Sequence, residues 1–69
     1  MITAYAYYTE NNTVVAKIIA DNNHAIEAKY SEIYGDNSDY GLAYSAAFAD
    51  GIPEDLVSDG KFEIMDLRG

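Results

Sequence analysis

The chain has 69 residues, with twelve Asp and Glu against four Lys and Arg for a net charge of -8, no cysteine, seven Tyr and two Phe. That length holds one small domain, which buries only about 60% of the surface its unfolded form exposes, and without cysteine no disulfide or thiolate zinc site can staple it. The charge repels anionic lipid and bare nucleic acid and so argues against direct binding to either, and a hydrophobic content of 49% with this many rings argues against disorder.

Ile2 to Thr9 and Thr13 to Ala20 read as strands, rich in Tyr, Thr, Val and Ile. Glu10-Asn11-Asn12 between them supplies residues that tolerate left-handed backbone, so an antiparallel hairpin follows. Asn11-Asn12-Thr13 also matches a glycosylation sequon, for which the turn is the simpler reading. Alternation places Ile2, Ala4, Ala6 and Tyr8 on one face with Val14, Ala16, Ile18 and Ala20. These small residues suit a core that a helix approaches closely. The opposite face, Thr3, Tyr5, Tyr7 and Thr9 with Val15, Lys17 and Ile19, is unusually apolar for solvent. Tyr5, Tyr7, Val15 and Ile19 are therefore expected to meet a second surface, such as another copy of the chain.

Asp21 or Asn22 caps a helix expected from Asn23 to Tyr34, whose apolar positions Ile26, Tyr30 and Ile33, with Ala25 and Tyr34 beside them, recur at three and four residues. Gly35 stands where a left-handed cap belongs, and Lys29 and Glu32 form an outer i,i+3 pair. After the polar loop Asp36 to Asp39, the segment Tyr40 to Ala49 fits two periods. At period two Tyr40, Leu42, Tyr44, Ala46 and Phe48 share a face; at period 3.6 Tyr40, Tyr44 and Phe48 still align. Gly41 and the separation of large from small residues favour the strand. Pro53 with Glu54 and Asp55 suits one short turn of helix, Ser58-Asp59-Gly60 a turn, and Lys61 to Leu67 a last strand. The fold expected is α+β, a small antiparallel sheet in the sequence order β-β-α-β-β packed on one helix.

A single histidine, His24, and the lack of cysteine rule out a Ser-His-Asp triad, a Cys-His pair and any two-histidine metal site by counting. Asp36-Asn37-Ser38-Asp39-Tyr40-Gly41 departs from a calcium loop at Tyr40 and at Ala47, and the glycines are too scattered to cradle phosphate. No enzyme activity, cofactor or metal is expected. With no basic, apolar leader at Met1 and no apolar run of about 18 residues, a cytoplasmic protein is expected.

The remaining signal is charge asymmetry. Tyr30 to Gly60 holds seven acids, Glu32, Asp36, Asp39, Asp50, Glu54, Asp55 and Asp59, and no base. Solubility alone is one account, but mixed charge would give it with less self-repulsion. In size, charge and lack of catalytic residues the chain resembles phage-encoded inhibitors of restriction and CRISPR systems, and Gly51-Ile52-Pro53-Glu54-Asp55-Leu56 resembles the acidic repeats of anti-restriction DNA mimics. The resemblance implies an anti-CRISPR or anti-restriction protein whose carboxylates stand in for phosphates in a basic channel, with Asp36, Asp39, Asp50, Glu54, Asp55 and Asp59 as the charges and Tyr40 and Tyr44 as anchors. The alternatives are an immunity protein or antitoxin against a basic nuclease, and a structural homodimer joined through the Tyr-rich sheet face. A strand over Tyr40 to Ala49 is expected to hold the two acidic loops roughly 30 Å apart, at about 3.3 Å per residue, and a helix about 15 Å apart.

Overall fold

The computed structural model describes residues 1–45 and 52–68. The elements run β1 (Ile2–Tyr8), β2 (Val14–Ala20), α1 (Asn23–Tyr34), β3 (Tyr40–Tyr44) and β4 (Glu63–Asp66), an α+β fold with the sheet order β3-β1-β2-β4.

β1 and β2 pair antiparallel from Ile2 opposite Ala20 to Ala6 opposite Ala16, and a bulge then brings Tyr7 opposite Val14. The Tyr8 amide donates to the Thr13 carbonyl at 2.9 Å and the Asn12 amide to the Tyr8 carbonyl at 2.7 Å. Asn12 sits at φ 59, the left-handed backbone that asparagine tolerates better than most residues. The small face of the hairpin is the core: Ala4, Ala6, Ala16, Ile18 and Ala20 are fully buried, together with Ile26 of the helix. Four alanines there keep the sheet surface shallow around Ile18, so the helix can approach closely.

Asn22 is the helix cap, its Oδ1 accepting from the Ala25 amide at 2.8 Å. At the other end Gly35, with φ 60, donates its amide to Ser31 O at 2.9 Å. Ile26, Ala25 and Tyr30 face the sheet, whereas Ile33 is 46% exposed and does not join the core that its spacing suggested. At the last turn the helix meets the sheet through Tyr34, which packs on Tyr40 of β3, and this leaves Ile33 on the open side. Lys29 and Glu32 form the expected exposed pair at 3.2 Å.

The segment after the loop is a strand from Tyr40 to Tyr44, antiparallel to β1 with Tyr40 opposite Tyr8 and Tyr44 opposite Ala4. The continuation of that reading over Ala46 to Ala49 lies outside the described residues. Gly41 makes room for a ring: a Cβ there would stand 2.5 Å from Cζ of Tyr7, which lies across it.

The sheet is mixed rather than wholly antiparallel, because β4 pairs parallel with β2, Ala16 opposite Glu63 through Ile19 opposite Asp66. The route of the chain is the cause. By Val57 it has returned to the start of β2, where the Val14 amide donates to Val57 O at 2.8 Å and the Val57 amide to Asn12 O at 2.9 Å. β4 therefore enters beside β2 from the same end. Met65 and Leu67 pack on the core, and Phe62 lies on the other face, with its ring edge-on to Tyr5 at 6.4 Å.

Candidate functional site

The pairing registers collect three connections at one end of the sheet. The β1–β2 turn is there by construction, the α1–β3 loop delivers Tyr40 opposite Tyr8, and the approach to β4 passes Thr13. Hydrogen bonds fasten the two acidic loops to that one turn. The Thr9 amide donates to Asp39 O at 2.9 Å and the Thr9 hydroxyl to Ser38 O at 3.0 Å, while Asn12 Nδ2 donates to Asp55 O at 3.2 Å. The far end of the expected Tyr40 to Ala49 strand, with Asp50, lies outside the described residues, but Asp55 of the second loop is not held a strand's length away from Asp39. β3 carries the chain away from this end, and at Asp55 the chain is again beside Asn12.

The exposed acids of this end are Glu10 in the turn, Asp36 and Asp39 in one loop and Glu54 and Asp55 in the other. A hydrogen bond from the Leu56 amide to Pro53 O at 3.0 Å makes the Glu54-Asp55 segment a single tight turn. Asp59 follows in an exposed turn, where its carboxylate accepts from the Lys61 amide at 2.9 Å. Asp50 lies outside the described residues. Three of the four bases are elsewhere, Lys17 level with Tyr5 in mid-sheet, Lys29 bonded to Glu32 and Arg68 to Asp66, whereas Lys61 stands at the turn end, where it leads into β4. Among the described residues no three His, Asp or Glu side chains converge to hold a metal ion. His24 is exposed in the first turn of the helix.

Beside the acids stands a row of four rings. Tyr30 and Tyr34 have centroids 5.2 Å apart, Tyr34 and Tyr40 4.5 Å, and Tyr40 and Tyr8 5.0 Å, with interplanar angles from 31° to 39°. The row runs from the helix across β3 to the end of β1, and the Gly35–Asp39 loop joins its middle members. Tyr8 is 42% exposed and the other three are half-buried. Burial, then the Glu63 carboxylate and the Tyr30 and Tyr8 hydroxyls, push the Tyr34 phenol above its ordinary value. A side-chain hydrogen bond with Tyr8 does the same for Tyr40, helped by Asp39.

No family model matches the chain, and neither the curated proteins nor the solved structures provide a match. The arrangement of the residues themselves therefore carries the functional reading.

The two tyrosines expected as anchors part company. Tyr40 is the centre of the ring row, whereas Tyr44, 40% exposed, lies at the far end of β3 beside Glu27, about 13 Å along the strand from Tyr40. The second surface expected from Tyr5, Tyr7, Val15 and Ile19 is largely occupied within the chain. Tyr5 is only 2% exposed beneath Phe62, Tyr7 is folded over Gly41, and Val15 and Ile19 are half-buried. The unusual apolarity of this face is met by the Phe62 end of the β3–β4 connection. Sequence reasoning passed over Tyr8, Tyr30, Tyr34 and Glu63. The i,i+4 spacing of Tyr30 and Tyr34, followed by Tyr40 just past an acidic loop, was the signal available.

Proposed function

We propose that this chain is a non-enzymatic binding protein that presents its turn end to a basic partner, acting as an acidic inhibitor, encoded by a phage or mobile element, of a nucleic-acid-binding defence complex. The supporting observation is the fastening of both acidic loops to the Thr9–Asn12 turn, which puts Glu10, Asp36, Asp39, Glu54 and Asp55 on one end of a rigid sheet. Spaced carboxylates on a fixed frame compete for a groove that grips DNA through its phosphates, because that grip is largely electrostatic. A preorganised surface also loses less entropy on docking than a flexible acidic tail. The burial of Tyr5 beneath Phe62 weighs against a homodimer formed through the Tyr-rich face.

The test is displacement of duplex DNA from purified CRISPR effector and restriction complexes over a salt series. The wild-type chain is expected to displace DNA from at least one of them, with an affinity that falls as salt rises. The variant Asp36→Asn, Asp39→Asn, Glu54→Gln, Asp55→Asn is expected to lose most of that affinity. Undiminished displacement by the neutralised variant would refute DNA mimicry. Binding only to a basic toxin nuclease would move the chain to the immunity class.

A further inference from the structure

We propose that the row Tyr30–Tyr34–Tyr40–Tyr8 reads arginine at its open end: a guanidinium group of the partner lies against the exposed ring of Tyr8, beside the Asp39 carboxylate, in preference to a lysine ammonium. The inference rests on the docking of the turn end to a basic partner and says which of that partner's side chains is recognised.

Ring faces are regions of negative potential, and a cation near the centroid is attracted to them. Here the ionised side chains that act on the row have the same sign, Glu63 at Tyr34 and Asp39 at Tyr40. Asp39 stands directly before Tyr40, and the Thr9 amide bonded to its carbonyl at 2.9 Å keeps it beside the Tyr8–Tyr40 pair, so the acid at the open end of the row is held through its backbone. Rows of aromatic rings also stack nucleic-acid bases, but the proteins that use them line the groove with bases of their own. This row is bounded by acids, which selects a cation and repels a polynucleotide.

Between the two cationic side chains the geometry favours arginine. A guanidinium is planar and weakly hydrated, so it can lie against a tyrosine ring while its edge donates to a carboxylate; an ammonium is a compact, strongly hydrated point charge. The rings are already held at 4.5–5.2 Å from one another, which fixes their rotamers before any partner arrives. Tyr8, at 42% exposure, offers the most open ring of the row.

The experiment is an NMR titration of the full chain at low ionic strength with two capped peptides, Gly-Arg-Gly-Arg-Gly and its lysine counterpart. The arginine peptide is expected to shift the ring resonances of Tyr8, Tyr34 and Tyr40 and to bind about two- to fivefold more tightly than the lysine peptide. Tyr8→Leu should erase that preference and Tyr8→Phe should keep it; an unchanged backbone amide spectrum shows that each variant is folded. Equal binding of the two peptides, unaffected by Tyr8→Leu but weakened by Asp36→Asn with Asp39→Asn, overturns the arginine reading and leaves the acidic docking surface standing. Failure of both peptides to bind a wild-type chain that still displaces DNA overturns the arginine reading alone; failure in both assays overturns the docking surface as well.

Discussion

The two faces of the sheet are buried by opposite means. On the helix side Ala4, Ala6, Ala16 and Ala20 give a shallow surface, and the bulk is supplied by Ile18 and by Ile26 of α1. On the other side the bulk belongs to the sheet, in Tyr5 and Tyr7, and the cover is Phe62, with Gly41 recessed to receive the Tyr7 ring. A face of small residues fits a regular cylinder, because close approach along its whole length is what a helix needs. A face of large rings suits an irregular connection, which can place one ring against another without keeping a period.

The helix side should be the more sensitive to truncation. Ile26→Ala is expected to cost about 2–5 kcal/mol, since a fully buried side chain is removed and the helix cannot sink further onto a floor of alanines. Urea denaturation measures it, and a loss below 1 kcal/mol would mean that α1 contributes little to the core. The other face should be sensitive in the opposite direction, to added volume. Gly41→Ala places a methyl within the Tyr7 ring, 2.5 Å from Cζ, and is expected to cost about 1–3 kcal/mol. Relief by the double variant Gly41→Ala, Tyr7→Ala would localise the clash; two costs that simply add would break the comparison.

Acid should touch neither face and act instead at the edge strand. Hydrogen bonds from Arg68, 2.9 Å from its Nε and 2.6 Å from its Nη2, bring the Asp66 carboxyl from its ordinary 3.8 to about 2. A lowered carboxylate pKa stabilises the fold above the unfolded value and loses that contribution as the pH falls from about 4 through about 2. Because both side chains are well exposed, the stability change should be the smallest of the three. The carboxyl carbon shift of Asp66 is expected to titrate near 2, and Arg68→Gln should return it towards 3.8.

Local signals in the sequence were enough for the elements. Asn22 and Gly35 bounded the helix, Glu10-Asn11-Asn12 marked the hairpin, and the large-small alternation from Tyr40 separated a strand from a helix. The choice that failed at Ile33 was one of face, since the rings of Tyr34 and Tyr40 determine how the last helical turn meets the sheet. What stayed hidden were contacts between parts distant in the chain. Nothing near Tyr5 announces Phe62, and the parallel entry of β4 follows from Val57 reaching Thr13. The gathering of the acidic loops was not legible for the same reason: strand length fixes where β3 ends, and the later hydrogen bond to Asn12 fixes where the chain returns.

The Thr9–Asn12 turn has a consequence for anyone remodelling the chain. Exposed β-turns are ordinarily the permissive sites for tags, linkers and new termini. This one is exposed, yet its backbone is engaged on both flanks, by the Thr9 amide to Asp39 and by the Asn12 carbonyl from Val57. Residues inserted between Glu10 and Asn11 would move those two attachments apart, so the length of the turn sets the spacing of everything hung from it.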